Sequence, residues 1–243
     1  MVAIGPFWRY YGGKHRAAPL YDPPRHRLIV EPFAGAAGYS CLHYRNDVLL
    51  IDANPDVVAT WEWLIGATRD DVMALPPRLE YGQPVADLGL PAGAELLLRW
   101  WCNNGSASPR RSASQWAAMS GKSWGHGIRA RIARDVEQIK HWRVMLGTYR
   151  DAPDVGARWF IDPPYQGNAG SHYPAGSTAI DYADLADWCR SRRGDVTVCE
   201  GPAADWLPFS PFATIKANES ATGGKRSREV AWRNFKPRQG SLL

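Results

Sequence analysis

Two short apolar runs, each ending on an acid and separated by a glycine turn, constrain the fold of this chain most. Leu28-Ile29-Val30-Glu31 runs into Pro32-Phe33-Ala34-Gly35-Ala36-Ala37-Gly38, and Val48-Leu49-Leu50-Ile51 ends on Asp52. Aliphatic runs of this length, punctuated by Gly and Pro, read as buried strands. Residues 38–44 leave room for one crossover helix between them, so strand, helix and strand make a parallel βαβ unit. Residues 55–65 read as the next helix, with Asn54 as its N-cap and Pro55 suited to its first turn. Later runs at 159–162, 196–199, 213–216 and 229–232 have the same strand character. The expected fold is therefore α/β, with a Rossmann-like sheet.

The alternation breaks between residues 66 and 157. That stretch carries Pro/Gly punctuation up to Gly93, a helical run over 94–101 and a polar Ser/Arg/Asn segment over 103–115. A long helix is expected over 128–146, where Ile132, Val136, Ile139 and Val144 give apolar positions at mainly helical spacing and Arg129, Arg131, Arg134, Lys140 and Arg143 are charged. The division is then 1–65 with 158–243 as one catalytic domain, and 66–157 as an inserted, mainly helical recognition region.

With 243 residues, 45% of them apolar, the chain suits one α/β domain with an insertion or two small domains. A net charge of +5 fits an acidic partner such as nucleic acid. Cys41, Cys102, Cys189 and Cys199 show no CxxC or Cys/His spacing. They read as reduced, buried thiols of a cytosolic protein, with no metal site or disulfide frame. No apolar run approaches the length of a membrane span and the first residues do not form a signal peptide, so neither membrane nor export is expected. Twelve tryptophans are many for this length. Several sit beside polar or basic residues, as in Arg99-Trp100-Trp101, Gln115-Trp116, Lys122-Ser123-Trp124 and His141-Trp142-Arg143. Such interleaving suits a nucleic-acid surface, and it equally suits the core of a small helical insertion.

The chemistry concentrates at Asp162-Pro163-Pro164-Tyr165, directly after the apolar run Arg158-Trp159-Phe160-Ile161. The amino nitrogen on a flat heteroaromatic ring is a poor nucleophile because its lone pair is delocalised. A carboxylate and a fixed backbone carbonyl can both accept its hydrogens and return that lone pair to nitrogen. Proline locks φ and so fixes the direction of the carbonyl, and a tyrosine ring can stack on a base that has left the duplex. A Pro-Pro turn with a packing tyrosine is the plainer alternative. The glycine turn lets backbone approach a ligand through Gly35 and Gly38. Asp52, 21 residues after Glu31, stands where doubly wound folds place an acid that accepts from ribose hydroxyls. The pyrophosphate loop GxGxxG is absent, which points away from NAD and toward a cofactor without pyrophosphate.

These motifs together resemble the Dam-like DNA adenine-N6 methyltransferases, over nearly the whole chain outside the insertion. Tyr10-Tyr11-Gly12-Gly13-Lys14 is similar to the family's Trp/Tyr-x-Gly-Gly-Lys element. Glu31-Pro32-Phe33-Ala34-Gly35 resembles its cofactor loop, and Asp52-Ala53-Asn54-Pro55-Asp56 its Asp-x-Asn strand end. Asp162-Pro163-Pro164-Tyr165 resembles its catalytic loop, and Lys225-Arg226-Ser227-Arg228-Glu229-Val230 a late basic segment. Two departures stand out: Ala37 where the loop usually has Gly, and Glu200-Gly201 where the family tends to have Ser-Asn.

The resemblance implies an S-adenosylmethionine-dependent methyltransferase sheet carrying an inserted target-recognition region. It implies cofactor contacts from Tyr10, Gly12, Lys14, Glu31, Phe33, Ala34, Gly35, Asp52, Ala53 and Asp162, and catalysis by Asp162, Pro163, Pro164 and Tyr165 on an adenine flipped out of duplex DNA. The implied setting is the cytoplasm of a bacterial or phage-infected cell, with the enzyme a monomer acting alone or beside a restriction nuclease. Arg110, Arg111, Lys122 and Arg129 in the insertion are candidate DNA contacts. His172, Tyr173, Lys225 and Arg226 are further candidates, and a solvated loop histidine or basic loop remains open for them. Cytosine-N4 methylation, usually with Ser in place of Asp162, and a catalytically impaired DNA-binding relative are the alternatives.

Overall fold

The apolar runs become strands because their backbone groups pair with neighbours while their side chains are buried on both faces, the usual state of parallel strands. The computed structural model describes residues 4–102, 105–119, 123–167, 180–216 and 226–236. Among them, seven strands form one sheet: β1 (Leu28–Glu31), β2 (Asp47–Asp52), β3 (Arg143–Leu146), β4 (Ala157–Ile161), β5 (Gly194–Glu200), β6 (Ser210–Lys216) and β7 (Arg226–Arg233). The order is β3-β2-β1-β4-β5-β7-β6. Strands β1 to β5 pair in parallel, and β7 pairs antiparallel with both β5 and β6. The chain leaves β1 toward β2 on one side and returns through β4 on the other. That reversal makes the β1/β4 junction the topological switch point, where open α/β sheets bind ligands beyond the carboxyl ends of their strands.

Alternating side chains of the central strands feed two cores. Ile29, Leu50 and Phe160 enter one with Trp61, Leu97, Trp100 and Ile132. Val30, Ile51, Trp159 and Ile161 enter the other with Leu185 and Val198. Helix α1 (Gly38–Leu42) is the short crossover and α2 (Pro55–Gly66) follows β2. The Asn54 side chain accepts from Asp56 N at 2.9 Å, so α2 starts where its cap and proline indicate. Its buried face is Val57, Val58, Trp61 and Leu64. The insertion supplies α3 (Arg69–Ala74), α4 (Ala92–Trp101), α5 (Gln115–Met119) and α6 (His126–Asp135). Helix α4 lies close on α2 because Gly93 has no Cβ: one there would sit 2.3 Å from Trp63 Cβ. These helices share the core of the sheet rather than making their own. Helix α7 (Tyr182–Ser191) covers the other face.

The helix expected over 128–146 is not one element. Helix α6 ends at Asp135, a 3-10 turn spans Val136–Gln138, and Arg143–Leu146 is edge strand β3. The apolar spacing that suggests a helix holds through Ile132, Val136 and Ile139 and then fails. Trp142 is buried with its indole N–H on the Tyr44 carbonyl at 3.1 Å, and Arg143 falls opposite Leu49 of β2. Pairing with β2 overrides the local helical preference. The final part of the range expected as insertion thus lies in the sheet.

The tryptophans beside basic residues are largely core. Trp100, Trp101, Trp124 and Trp142 are all buried, and each ring N–H reaches an acceptor: Thr60 Oγ1, then the carbonyls of Phe7, Pro76 and Tyr44. Trp116 is partly exposed, with the Arg9 guanidinium 5.0 Å from its ring centroid. The four cysteines are free and buried. No helix among the described residues is long and apolar enough to cross a membrane.

Candidate functional site

A cavity of ≈ 480 Å³ opens at the switch point, at the carboxyl ends of β1, β2, β3 and β4. Its volume lies within the range of small-molecule and cofactor sites. Two lips border it.

The first lip is the turn after β1. Gly35 has φ +45°, a conformation suited to glycine, and a Cβ there would come within 3.0 Å of the Tyr10 ring. Gly38 is required by a different contact: a Cβ would lie 2.5 Å from His15 N, so α1 could not start against the Lys14–Arg16 turn. Three bonds fix the loop: Gly35 N donates to Asp52 Oδ2 at 2.8 Å, Trp61 Nε1 to the Gly35 carbonyl at 2.8 Å, and Ala34 N to the Ile51 carbonyl at 3.0 Å. Asn54 N takes the other Asp52 oxygen at 2.9 Å. Burial raises the Asp52 carboxyl above its ordinary range, and the two backbone donors oppose that. Each oxygen keeps a lone pair, so Asp52 can still accept from a ligand hydroxyl.

Glu31 lines the cavity, but its Oε1 accepts from Ser40 N at 2.7 Å and the side chain is buried. Burial pushes it up to about 8, against the hydrogen bond from Ser40 and with help from the charge on Asp162. Its principal contact therefore ties β1 to the start of α1. Tyr10, Gly12, Lys14, Phe33, Ala34, Gly35, Asp52, Ala53 and Asp162, all expected at a cofactor, do line the cavity.

The second lip is the turn after β4. Asp162 Oδ1 lies 2.9 Å from Lys14 Nζ, and Lys14 is buried. The same ammonium donates to the Gly12 carbonyl at 3.1 Å and stands 3.6 Å from Glu229 Oε1 on β7. Burial works against the Lys14 charge, but Asp162, Tyr165 and Glu229 outweigh it and hold the ammonium well above its ordinary value. Burial likewise raises Asp162, to about 6, with Lys14 opposing and Glu229 and Glu200 adding to the rise. The Tyr182 hydroxyl donates to the Pro164 carbonyl at 2.6 Å. Among the described residues no donor reaches the Pro163 carbonyl. Pro164 lines the cavity, whereas buried Pro163 and half-buried Tyr165 do not. The Tyr165 ring, expected to stack on a base, here has Lys14 Nζ 4.9 Å from its centroid.

Three contributions escape a reading of contiguous motifs. Thr148, Tyr149 and Arg150 line the cavity from the turn after β3. The helix expected over 128–146 conceals that strand end, although Thr148 with Asp151 forms a capping box visible in sequence. Glu200 ends β5; it accepts from Gln166 N at 2.9 Å and Trp206 Nε1 at 3.0 Å through Oε1, and from Gly201 N at 2.7 Å through Oε2. It thus anchors the Asp162–Tyr165 turn from behind. Glu229, hidden in a basic segment, is the third.

Of the candidate DNA contacts, Arg110 and Arg111 are exposed on a loop held to the lip by the Tyr10–Ser106 bridge and the Tyr11 N–Ser106 O bond. Arg129 instead donates to the Met73 and Leu75 carbonyls, joining α6 to the end of α3. Lys122, His172, Tyr173 and Lys225 lie outside the described residues. Arg226 opens β7, and its side chain lies outside them too. Compared with known proteins, the chain matches no family model and no curated protein.

Proposed function

We propose that the protein transfers the methyl group of S-adenosylmethionine to the exocyclic amino nitrogen of adenine in DNA. The observation that carries this reading is Asp162, set at the carboxyl end of β4 on the same cavity as Gly35 and Asp52. Among the described residues no donor reaches its Oδ2, while Oδ1 is held by Lys14. That oxygen can accept a hydrogen from an amino group.

The cavity fits the cofactor chemically. Asp52 can accept from ribose hydroxyls, the backbone near Gly35 permits close approach, and the Phe33 and Tyr149 rings, with centroids 5.9 Å apart, offer an apolar wall for a flat base. The cofactor, when bound, supplies an electrophilic methyl group on a sulfonium. Asp162 orients the amino group, and that positioning supplies much of the barrier reduction. With Phe33, Gly35 and Asp52 holding the cofactor, the nitrogen would gain the methyl carbon while the S–C pair stayed with sulfur. Positive charge on nitrogen would be met by the Asp162 carboxylate, and one amino proton would then pass to water. Arg110, Arg111 and the net charge of +5 support an acidic polymer as the substrate.

The test is transfer of tritium from labelled S-adenosylmethionine into duplex DNA, with the digest resolved by nucleoside. Label in N6-methyladenine is expected. Label in N4-methylcytosine, or tight DNA binding with no label at all, overturns the reading.

A further inference from the structure

Lys14 offers three N–H donors and meets three acceptors: Asp162 Oδ1 at 2.9 Å, the Gly12 carbonyl at 3.1 Å and Glu229 Oε1 at 3.6 Å. The Gly12 contact is a hydrogen bond, whereas the contacts with Asp162 Oδ1 and Glu229 Oε1 are ion pairs, the first close and the second looser. Glu229 is buried and rigidly placed. Its Oε2 accepts from the Tyr21 hydroxyl at 2.9 Å, and Tyr21 is stacked 4.3 Å from Phe212 and set edge-on 4.9 Å from Phe160. Among the described residues Lys14 is the only cation within ion-pair reach of Glu229. A buried carboxylate this close to an ion pair requires a reason, because two carboxylates on one ammonium leave the cluster a charge short.

We propose that Glu229 is a positioning residue for the amino-group acceptor, drawing the Lys14 ammonium to one side of Asp162 so that Oδ1 is held and Oδ2 is left to the substrate. This rests on the reading of Asp162 as that acceptor. Without Glu229 the ammonium keeps only two partners and can swing across both carboxylate oxygens, blocking the one the amino group needs. The groups acting on Asp162 are Lys14 from the N-terminal turn, Glu31 from β1, Tyr165 from its own loop, Cys199 and Glu200 from β5, and Glu229 from β7. Within that set Lys14 favours the ionised carboxylate, whereas Glu229 and Glu200 disfavour it.

The test compares wild type with Glu229→Gln and Glu229→Asp. Glu229→Gln removes a neighbouring negative charge, so the acid limb of the kcat profile moves to lower pH by about one pH unit. At the same time kcat on the plateau falls about tenfold, because Lys14 covers Oδ2. Glu229→Asp keeps the charge and gives smaller changes of the same sign, which separates this role from a folding defect. In parallel, the Asp162 carboxyl carbon is titrated by NMR in the ligand-free protein and assigned by its loss in Asp162→Asn. A midpoint that moves down in Glu229→Gln supports the inference whether or not any DNA is methylated, so failure of the parent reading is seen separately. An unmoved midpoint overturns it, as does a loss of kcat with no displacement of the acid limb.

Discussion

The bonds that fix the turn after β1 join residues at most 26 positions apart, as in Trp61 to Gly35, whereas on the β4–β5–β7 lip the anchoring bonds reach across 208, as in Tyr21 to Glu229. The first lip is a self-contained loop. Its glycines, its acid and its capping asparagine hold one another, and backbone donors satisfy the Asp52 carboxylate from both sides. The second lip is a short turn whose geometry is imposed from elsewhere: Lys14 comes from before the sheet, Tyr182 from α7, Glu200 from β5 and Glu229 from β7. A self-contained loop suits holding a ligand of fixed shape. A turn braced from four directions suits setting the charge and direction of one carboxylate. The comparison makes a division of labour testable, because changes to the first lip should act on binding and changes to the second on turnover.

The largest effect is expected at the second lip. Asp162→Ala should lower kcat about a thousandfold, the usual cost of removing a preorganised group aimed at developing charge. Duplex affinity, read by fluorescence anisotropy, should stay nearly unchanged. Retained turnover would remove the carboxylate from the mechanism and leave Asp162-Pro163-Pro164-Tyr165 as a turn.

Asp52→Ala should act at the first lip, raising the cofactor Kd about 10- to 100-fold in calorimetry. That corresponds to about 1.5–3 kcal/mol for a charged acceptor lost together with the bond that holds Gly35. Turnover at saturating cofactor should survive. A collapse of kcat with unchanged Kd would dissolve the division between the lips.

The difference between the lips also explains what could be read before the fold was known. Glu31 to Gly38 and Asp52 to Asn54 lie within one βαβ unit, so their spacing alone brings them together. The same local logic places α2 behind Asn54 and Pro55. Nothing in the spacing of Lys14, Glu200 and Glu229 says that they converge, because only the pairing of β5 with β7 and the packing of the N-terminal turn bring them to Asp162. Strand β3 fails for a related reason. Its four residues have little burial of their own and become a strand only by pairing with β2, so periodicity extends the preceding helix through them. The basic-flanked tryptophans show that neighbours in sequence do not decide exposure when an indole N–H can find a buried carbonyl.

A pH profile probes the second lip without any substitution. In the proposed reaction the working form of Asp162 is the ionised acceptor, and burial with nearby Glu229 and Glu200 lifts its carboxyl to about 6 despite Lys14. Turnover should therefore be full above this value and fall about tenfold for each pH unit below it. Cofactor affinity should show an acid dependence of its own, because burial also raises the Asp52 carboxyl against its two backbone donors, and saturating cofactor keeps that out of the turnover limb. An acid limb near the ordinary carboxylate range, at about 4, would mean that the buried cluster does not set the charge of the acceptor.

The smallest effect belongs to Ala37, which has φ +48° and ψ +50° in the turn after β1. Left-handed backbone costs an alanine about 1–2 kcal/mol, which Ala37→Gly would recover. Against that, glycine loses about 0.5–1 kcal/mol through the freedom of the unfolded chain. The Ala37 methyl is also buried in the larger core, and removing it gives up about 0.8 kcal/mol. The three contributions nearly cancel, so Ala37→Gly should change stability by less than about 1 kcal/mol in denaturant titration, with cofactor Kd unaltered. The near-cancellation accounts for how an alanine can occupy a glycine conformation here: the packing of its methyl offsets the strain within the first lip itself. A gain above about 2 kcal/mol would show instead that the loop carries uncompensated strain, and the self-contained character of the first lip would then have to be abandoned.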